Sequence, residues 1–165
     1  MSNYNKHNDQ KYKYYTDVQS GTLRVIEVTP ELPPTSVITG IKLKRVFGTG
    51  KVVDTRVSGP IQIGTTNSYI YKIEVDVRFK YEFKNIPAVV ANINSSSGAI
   101  FAPNVGVVTS LITVIDNTTT CGFTYRVQLT IQDFTGAPPA GVNALFHQLL
   151  QPTGQRPLGF NYHAK

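Results

Sequence analysis

Residues 73–83 constrain the fold more than any other part of this 165-residue chain. Every odd position there is apolar (Ile73, Val75, Val77, Phe79, Tyr81, Phe83) and every even one is charged (Glu74, Asp76, Arg78, Lys80, Glu82). Successive side chains of a β-strand point to opposite faces, whereas a helix repeats every ~3.6 residues, so a strict period of two predicts a strand with one buried and one wet face. Residues 123–132 repeat the design, with Phe123, Tyr125, Val127, Leu129 and Ile131 on one face. Their other face, Thr124, Arg126, Gln128, Thr130 and Gln132, is mostly uncharged.

Weaker strand signals rich in β-branched residues lie at 23–28, 37–47, 51–57, 61–63, 88–93 and 105–115. Turn formers separate them: Pro33-Pro34, Gly48-Thr49-Gly50, Gly59-Pro60, 64–68 and 94–98. Many short strands with regular turn signals predict an all-β fold, a single antiparallel β-sandwich or a barrel. Only residues 142–150 fit a helix, and they fit a final strand ending at Pro152 equally well.

Residues 1–17 have no periodicity and are rich in Asn, Lys and Tyr, which reads as an extended N-terminal arm. Residues 152–165 contain Pro and Gly and read as an irregular C-terminal tail. That leaves 18–151 as the sandwich domain, with the proline-containing stretch from Thr29 to Ser36 as a linker candidate behind the first strand. A chain of this length is one domain by default, burying about 70% of its unfolded surface.

Charge is scarce and unevenly placed. Only 16% of residues are charged, against about 25% in ordinary soluble domains. Residues 1–84 hold 13 of the 16 basic and 8 of the 10 acidic side chains; from Asn85 onward only Arg126, Arg156, Lys165, Asp116 and Asp133 are charged. Surfaces that lie against another subunit are depleted of charge in this way, so the second half predicts self-association. The net charge of +6 comes from scattered lysines. The densest basic and aromatic run, Lys11 to Tyr15, is too short for a nucleic-acid footprint. Tyr12, Tyr14 and Tyr15 are instead expected to pack on a neighbouring subunit.

Little in the chain suggests catalysis, which needs a nucleophile, a base and an orienting group, or a metal. His7 and His163 lie near the ends of the sequence, His147 stands alone in an apolar stretch, and Glu74, Asp76 and Glu82 alternate with basic residues on a wet face. Cys121, the single cysteine, follows three threonines and precedes Gly122, as a small buried or turn residue would. No Cys/His cluster has metal-ligand spacing and no phosphate loop occurs, so no cofactor, no metal and no enzymatic activity are expected. The first ten residues are strongly polar, and no run of about eighteen apolar residues occurs. Synthesis in the cytoplasm without a signal peptide, and no membrane partner, are the corresponding expectations.

From Val75 onward the chain resembles the H-type lectin domain. Phe79, Phe83, Pro87 and Val89 look like that family's central run, Thr118 to Phe123 is similar to its Thr-Thr-Gly-Phe turn, and Val18-Gln19-Ser20-Gly21 is similar to its N-terminal strand. The resemblance implies a small, jelly-roll-like or H-type-lectin-like sandwich, typically trimeric, that binds galactose-type sugars; related folds occur at the tips of some phage tail fibres. The chain departs from the family in having no arginine at 105–115 and no tryptophan anywhere. No sugar-binding residue therefore carries over.

Two readings follow. The first is a non-enzymatic structural subunit of a homo-oligomeric assembly, as in a virion, fibre or appendage, a trimer or larger, destined for a virion or extracellular assembly. The second is a trimeric carbohydrate-binding or receptor-binding module with glycan partners. A sugar site needs an aromatic platform beside polar groups, which singles out Tyr125 and Phe134 with Gln132 and Asp133. Tyr125, however, belongs to the inward face of its strand.

Overall fold

The computed structural model describes residues 18–30, 35–94, 101–102, 104–151 and 158–165. The 1–17 arm and its tyrosines, residues 31–34 of the 29–36 linker and residues 95–98 of the 94–98 turn lie outside them. The described chain forms β1 (Gln19–Thr29), β2 (Gly40–Gly48), β3 (Lys51–Gln62), β4 (Ser68–Arg78), β5 (Val89–Asn94), β6 (Phe101–Ala102), β7 (Gly106–Asp116), β8 (Gly122–Asp133), α1 (Ala140–Leu150) and β9 (Gly159–Ala164). One sheet has the order β2-β1-β9-β5 and the other β3-β4-β8-β7-β6. Every pairing is antiparallel. The predicted all-β sandwich is the observed architecture.

The two patterned segments are the central strands of the five-stranded sheet. β4 and β8 pair without a register shift from Ser68 opposite Gln132 to Arg78 opposite Gly122. That register sets Tyr71, Ile73, Val75 and Val77 across from Leu129, Val127, Tyr125 and Phe123 on the inner face, all of them buried. β4 begins five residues before the charged alternation and ends within it, at Arg78. Beyond that point the Gln19 side chain replaces a strand partner: its amide accepts from the N–H of Lys80 (3.1 Å) and donates to the carbonyl of Tyr81 (2.7 Å). Phe79 and Phe83 remain in the core although the strand has stopped.

Gly59-Pro60, expected to separate two strands, lies inside β3 at a register shift between Ser58 and Ile61. The left-handed φ of +119° at Gly59, and the 2.5 Å that a Cβ there would leave to the Ile70 carbonyl oxygen, restrict this bulge to glycine.

Residues 140–150 resolve to the helix. It starts just after Pro138-Pro139, where a missing N–H costs no hydrogen bond. Asp133 caps it, accepting from the N–H of Gly141 at 2.9 Å. Its apolar side packs inward, with the Phe146 ring stacked on Tyr71 at 3.8 Å. The Tyr71 hydroxyl donates to Asn143, whose amide donates to the Thr35 carbonyl (3.0 Å), and His147 Nε2 lies 3.1 Å from the Ser36 carbonyl oxygen. The helix thus joins the five-stranded sheet to the segment that enters β2.

The expectation of an irregular tail is corrected by β9. Gly159–Ala164 sits between β1 and β5 as an interior strand, with Phe160, Tyr162 and Ala164 buried. Lys165 continues the ladder by exchanging two backbone hydrogen bonds with Ala88. Phe160, Tyr162 and Ala164 alternate with Asn161 and His163, so a period of two is present, but over only six residues. The sandwich domain therefore extends to the 158–165 segment.

Candidate functional site

The outer face of β3, β4, β8 and β7 carries a lattice of ion pairs. Arg56 contacts Asp54 (2.5 Å), Asp76 (2.7 Å) and Glu74 (3.1 Å), and Arg126 contacts Glu74 (2.7 Å) and Asp116 (3.4 Å). The strand register creates this, because Glu74 faces Arg56 on one side and Arg126 on the other. Arg126 and then Arg56 hold the Glu74 carboxyl below its usual range, and Arg56 does the same to Asp76. Carboxylates held ionised by guanidinium groups are poor proton donors near neutral pH.

Beside the lattice lies a shallow depression of about 370 Å³, lined by Lys72, Glu74, Arg126 and Gln128 and bounded by Ile112 and Val114 of β7. β7 pairs with β8 along nearly its whole length, whereas β6 covers only Gly106 and Val107. Among the described residues the outer edge of β7 from Val108 to Asp116 has no partner strand. That edge is uncharged until Asp116, and Leu111, Ile112 and Val114 expose 39%, 50% and 44% of their surface.

The outer face of the other sheet differs in character. One row crosses all four strands as Phe47, Thr22, Asn161 and Asn92. Phe47 is 73% exposed. In the neighbouring row Lys44 of β2 stands directly opposite Arg24 of β1, followed by Gly159. Glu27 is the sheet's only acidic side chain, and Lys42 holds it at 2.6 Å.

The structure does not bring the four predicted sugar-site residues onto one surface. Tyr125 is 2% exposed, points between the sheets and meets Phe160 edge-on. Asp133 is also buried; one of its oxygens accepts from the N–H and hydroxyl of Thr135 and the other from Gly141. Its position next to a strand end hid a helix-capping role. Gln132 and Phe134 are exposed on either side of it. Cys121 is exposed in the 119–122 turn, where Thr119 Oγ1 accepts from the N–H groups of Cys121 and Gly122. Among the described residues no group of three or more His, Cys, Asp or Glu side chains is arranged to hold a metal ion.

Of the residues that carry the H-type resemblance, Phe79, Phe83 and Phe123 pack in the core, whereas Val18, Thr119 and Cys121 are exposed. Phe79 meets Phe83 at 5.0 Å and Phe123 at 5.6 Å, and Phe123 meets Tyr162 at 5.2 Å. The Phe47 row escaped sequence reading because only strand pairing places residues 22, 47, 92 and 161 side by side. Compared with family models, with curated proteins and with solved structures, the chain has no match.

Proposed function

We propose that the chain is a non-enzymatic structural subunit of a homo-oligomeric assembly, of the kind that builds a virion, fibre or appendage. The observation that carries this reading is the edge of β7, which among the described residues has no partner strand from Val108 onward, is uncharged until Asp116 and exposes Leu111, Ile112 and Val114. Single-chain proteins usually blunt such an edge with charge, proline or a bulge, because it templates pairing with another chain. Here the one bulge lies between Val108 and Ser110, and among the described residues nothing of the kind protects Leu111 to Ile115.

The test is the solution mass by light scattering over a range of concentrations. The full chain is expected to exceed its 18.2 kDa monomer mass, and Ile112→Lys to return it toward the monomer. A version lacking residues 1–17 separates an edge contact from an arm contact: shrinkage on removing the arm alone assigns the contacts to the arm. A monomer at every concentration refutes the assembly reading.

A second reading, a carbohydrate-binding module, is favoured by the Phe47 row, where an exposed aromatic ring shares a sheet face with a threonine and two amides. The H-type resemblance points the same way. The two roles are compatible in a receptor-binding subunit, because they use opposite faces of the sandwich.

A further inference from the structure

We infer that the outer face of the β2-β1-β9-β5 sheet binds an acidic oligosaccharide, with Arg24 and Lys44 holding its anionic group and Phe47, Thr22, Asn161 and Asn92 holding its neutral sugar units. This inference rests on the carbohydrate-binding reading and names the ligand class. It starts from the direct cross-strand pairing of Arg24 with Lys44. Like charges directly opposite one another on an antiparallel pair are destabilising. Nothing within the sheet relieves them, since its single acidic side chain, Glu27, is engaged by Lys42. Both are exposed, and a bound carboxylate or sulfate would bridge them.

The adjoining row supplies the rest of the site. Adjacent strands are about 4.8 Å apart, so Phe47 to Asn92 spans roughly 14 Å, the extent of an oligosaccharide rather than a single ring. A side-chain amide offers a donor and an acceptor side by side, which suits sugar hydroxyls that do both. The Phe47 ring supplies an apolar platform for the C–H face of a pyranose.

The distribution of charge argues for a glycan over a nucleic acid. Among the described residues Arg24 and Lys44 have no ion-pair partner and stand together on β1 and β2, and farther along their row the β9 position is Gly159, paired with Asn94 of β5. A polynucleotide repeats its phosphate at every step and calls for cations along the whole track. A second copy of the chain fits less well, because Glu74, Asp76 and Asp116 of the opposite face are engaged by Arg56 and Arg126.

Calorimetric titration of the intact chain with sialyllactose, sulfated lactose, lactose and a single-stranded oligothymidylate tests the inference. At least one acidic sugar is expected to bind about tenfold or more tighter than lactose, with an advantage that shrinks between about 0.05 and about 0.5 M salt. Arg24→Gln and Lys44→Gln should each remove most of that advantage and leave lactose binding alone. Phe47→Ala should weaken all the sugars, and Lys84→Gln, at an exposed lysine between β4 and β5 outside both rows, none. Unchanged or higher melting temperatures for the two Gln variants, which relieve a like-charge pair, show that their fold is intact. Equal affinity for lactose and the acidic sugars overturns the inference and leaves the carbohydrate-binding reading standing. No sugar binding at millimolar concentration overturns both. Oligothymidylate binding that both Gln variants abolish, without acidic-sugar binding, also overturns the inference and gives the face to nucleic acid.

Discussion

Tyr125 is the residue whose environment departs furthest from what its chemistry asks for. Its hydroxyl is buried without a hydrogen-bond partner among the described residues, and burial pushes its pKa up. An unpaired buried hydroxyl costs about 1–3 kcal/mol, whereas the ring contributes area and an edge-on contact with Phe160. Tyr125→Phe keeps the ring and removes the burden. It is expected to leave urea-denaturation stability unchanged or raise it by about 1 kcal/mol, while Tyr125→Ala should lower it by about 3–5 kcal/mol. A clear loss in Tyr125→Phe would mean that the hydroxyl has a partner, such as a buried water. Alternation along β8 already put Tyr125 inside; that its oxygen is left unpaired depends on what the facing sheet presents, which periodicity does not report.

At the scale of elements, legibility follows the length of a pattern. The central strands β4 and β8 were readable because alternation persists over many residues and one face is charged or polar. β9 was hidden because its six residues follow a Pro- and Gly-containing stretch, and composition outweighed a short alternation. Its place between β1 and β5 makes it the seam of its sheet. Phe160→Ala is expected to cost about 3–5 kcal/mol, read from urea denaturation. A chain ending at residue 158 should show no cooperative unfolding, because losing Phe160 and Tyr162 removes an amount comparable to the 5–15 kcal/mol that typically holds a domain together. A cooperative transition in that truncated chain would show that β1 and β5 can close without it.

For the whole molecule, acid should weaken the fold in two windows. His147 is buried, and desolvation lowers its pKa from 6.5, so the unfolded chain binds the proton more readily. Its neutral form contributes full stability above about pH 6.5 and progressively less below. Glu74 and Asp76 are shifted down by Arg126 and Arg56, so their contribution holds above the ordinary carboxylate range and fades as pH falls through their lowered values. The melting temperature is expected to decline first between about pH 6.5 and 5 and again below about pH 4.5. His147→Gln, which keeps a donor near the Ser36 carbonyl, should flatten the first decline and leave the second. A wild-type melting temperature flat from pH 7 to 5 would contradict the buried, neutral state of His147. The sandwich and its uncharged half were visible in sequence, but the sheet face proposed to bind a glycan is a product of pairing: its two rows join residues 24 and 44, and 22, 47, 92 and 161, which no linear motif connects.

The position of β9 also bears on how the protein comes into being. β1 leaves the ribosome early, with its apolar face formed and one flank open, yet its neighbour on that flank is made only after every other strand described. Until then β1 and β2 form at most a hairpin, and β5 has no strand to pair with, so much of the inner face of this sheet is exposed throughout synthesis. Closure of this sheet therefore waits for the end of synthesis: β1 and β5 keep an open edge until residues 159–164 are made and fill the gap between them.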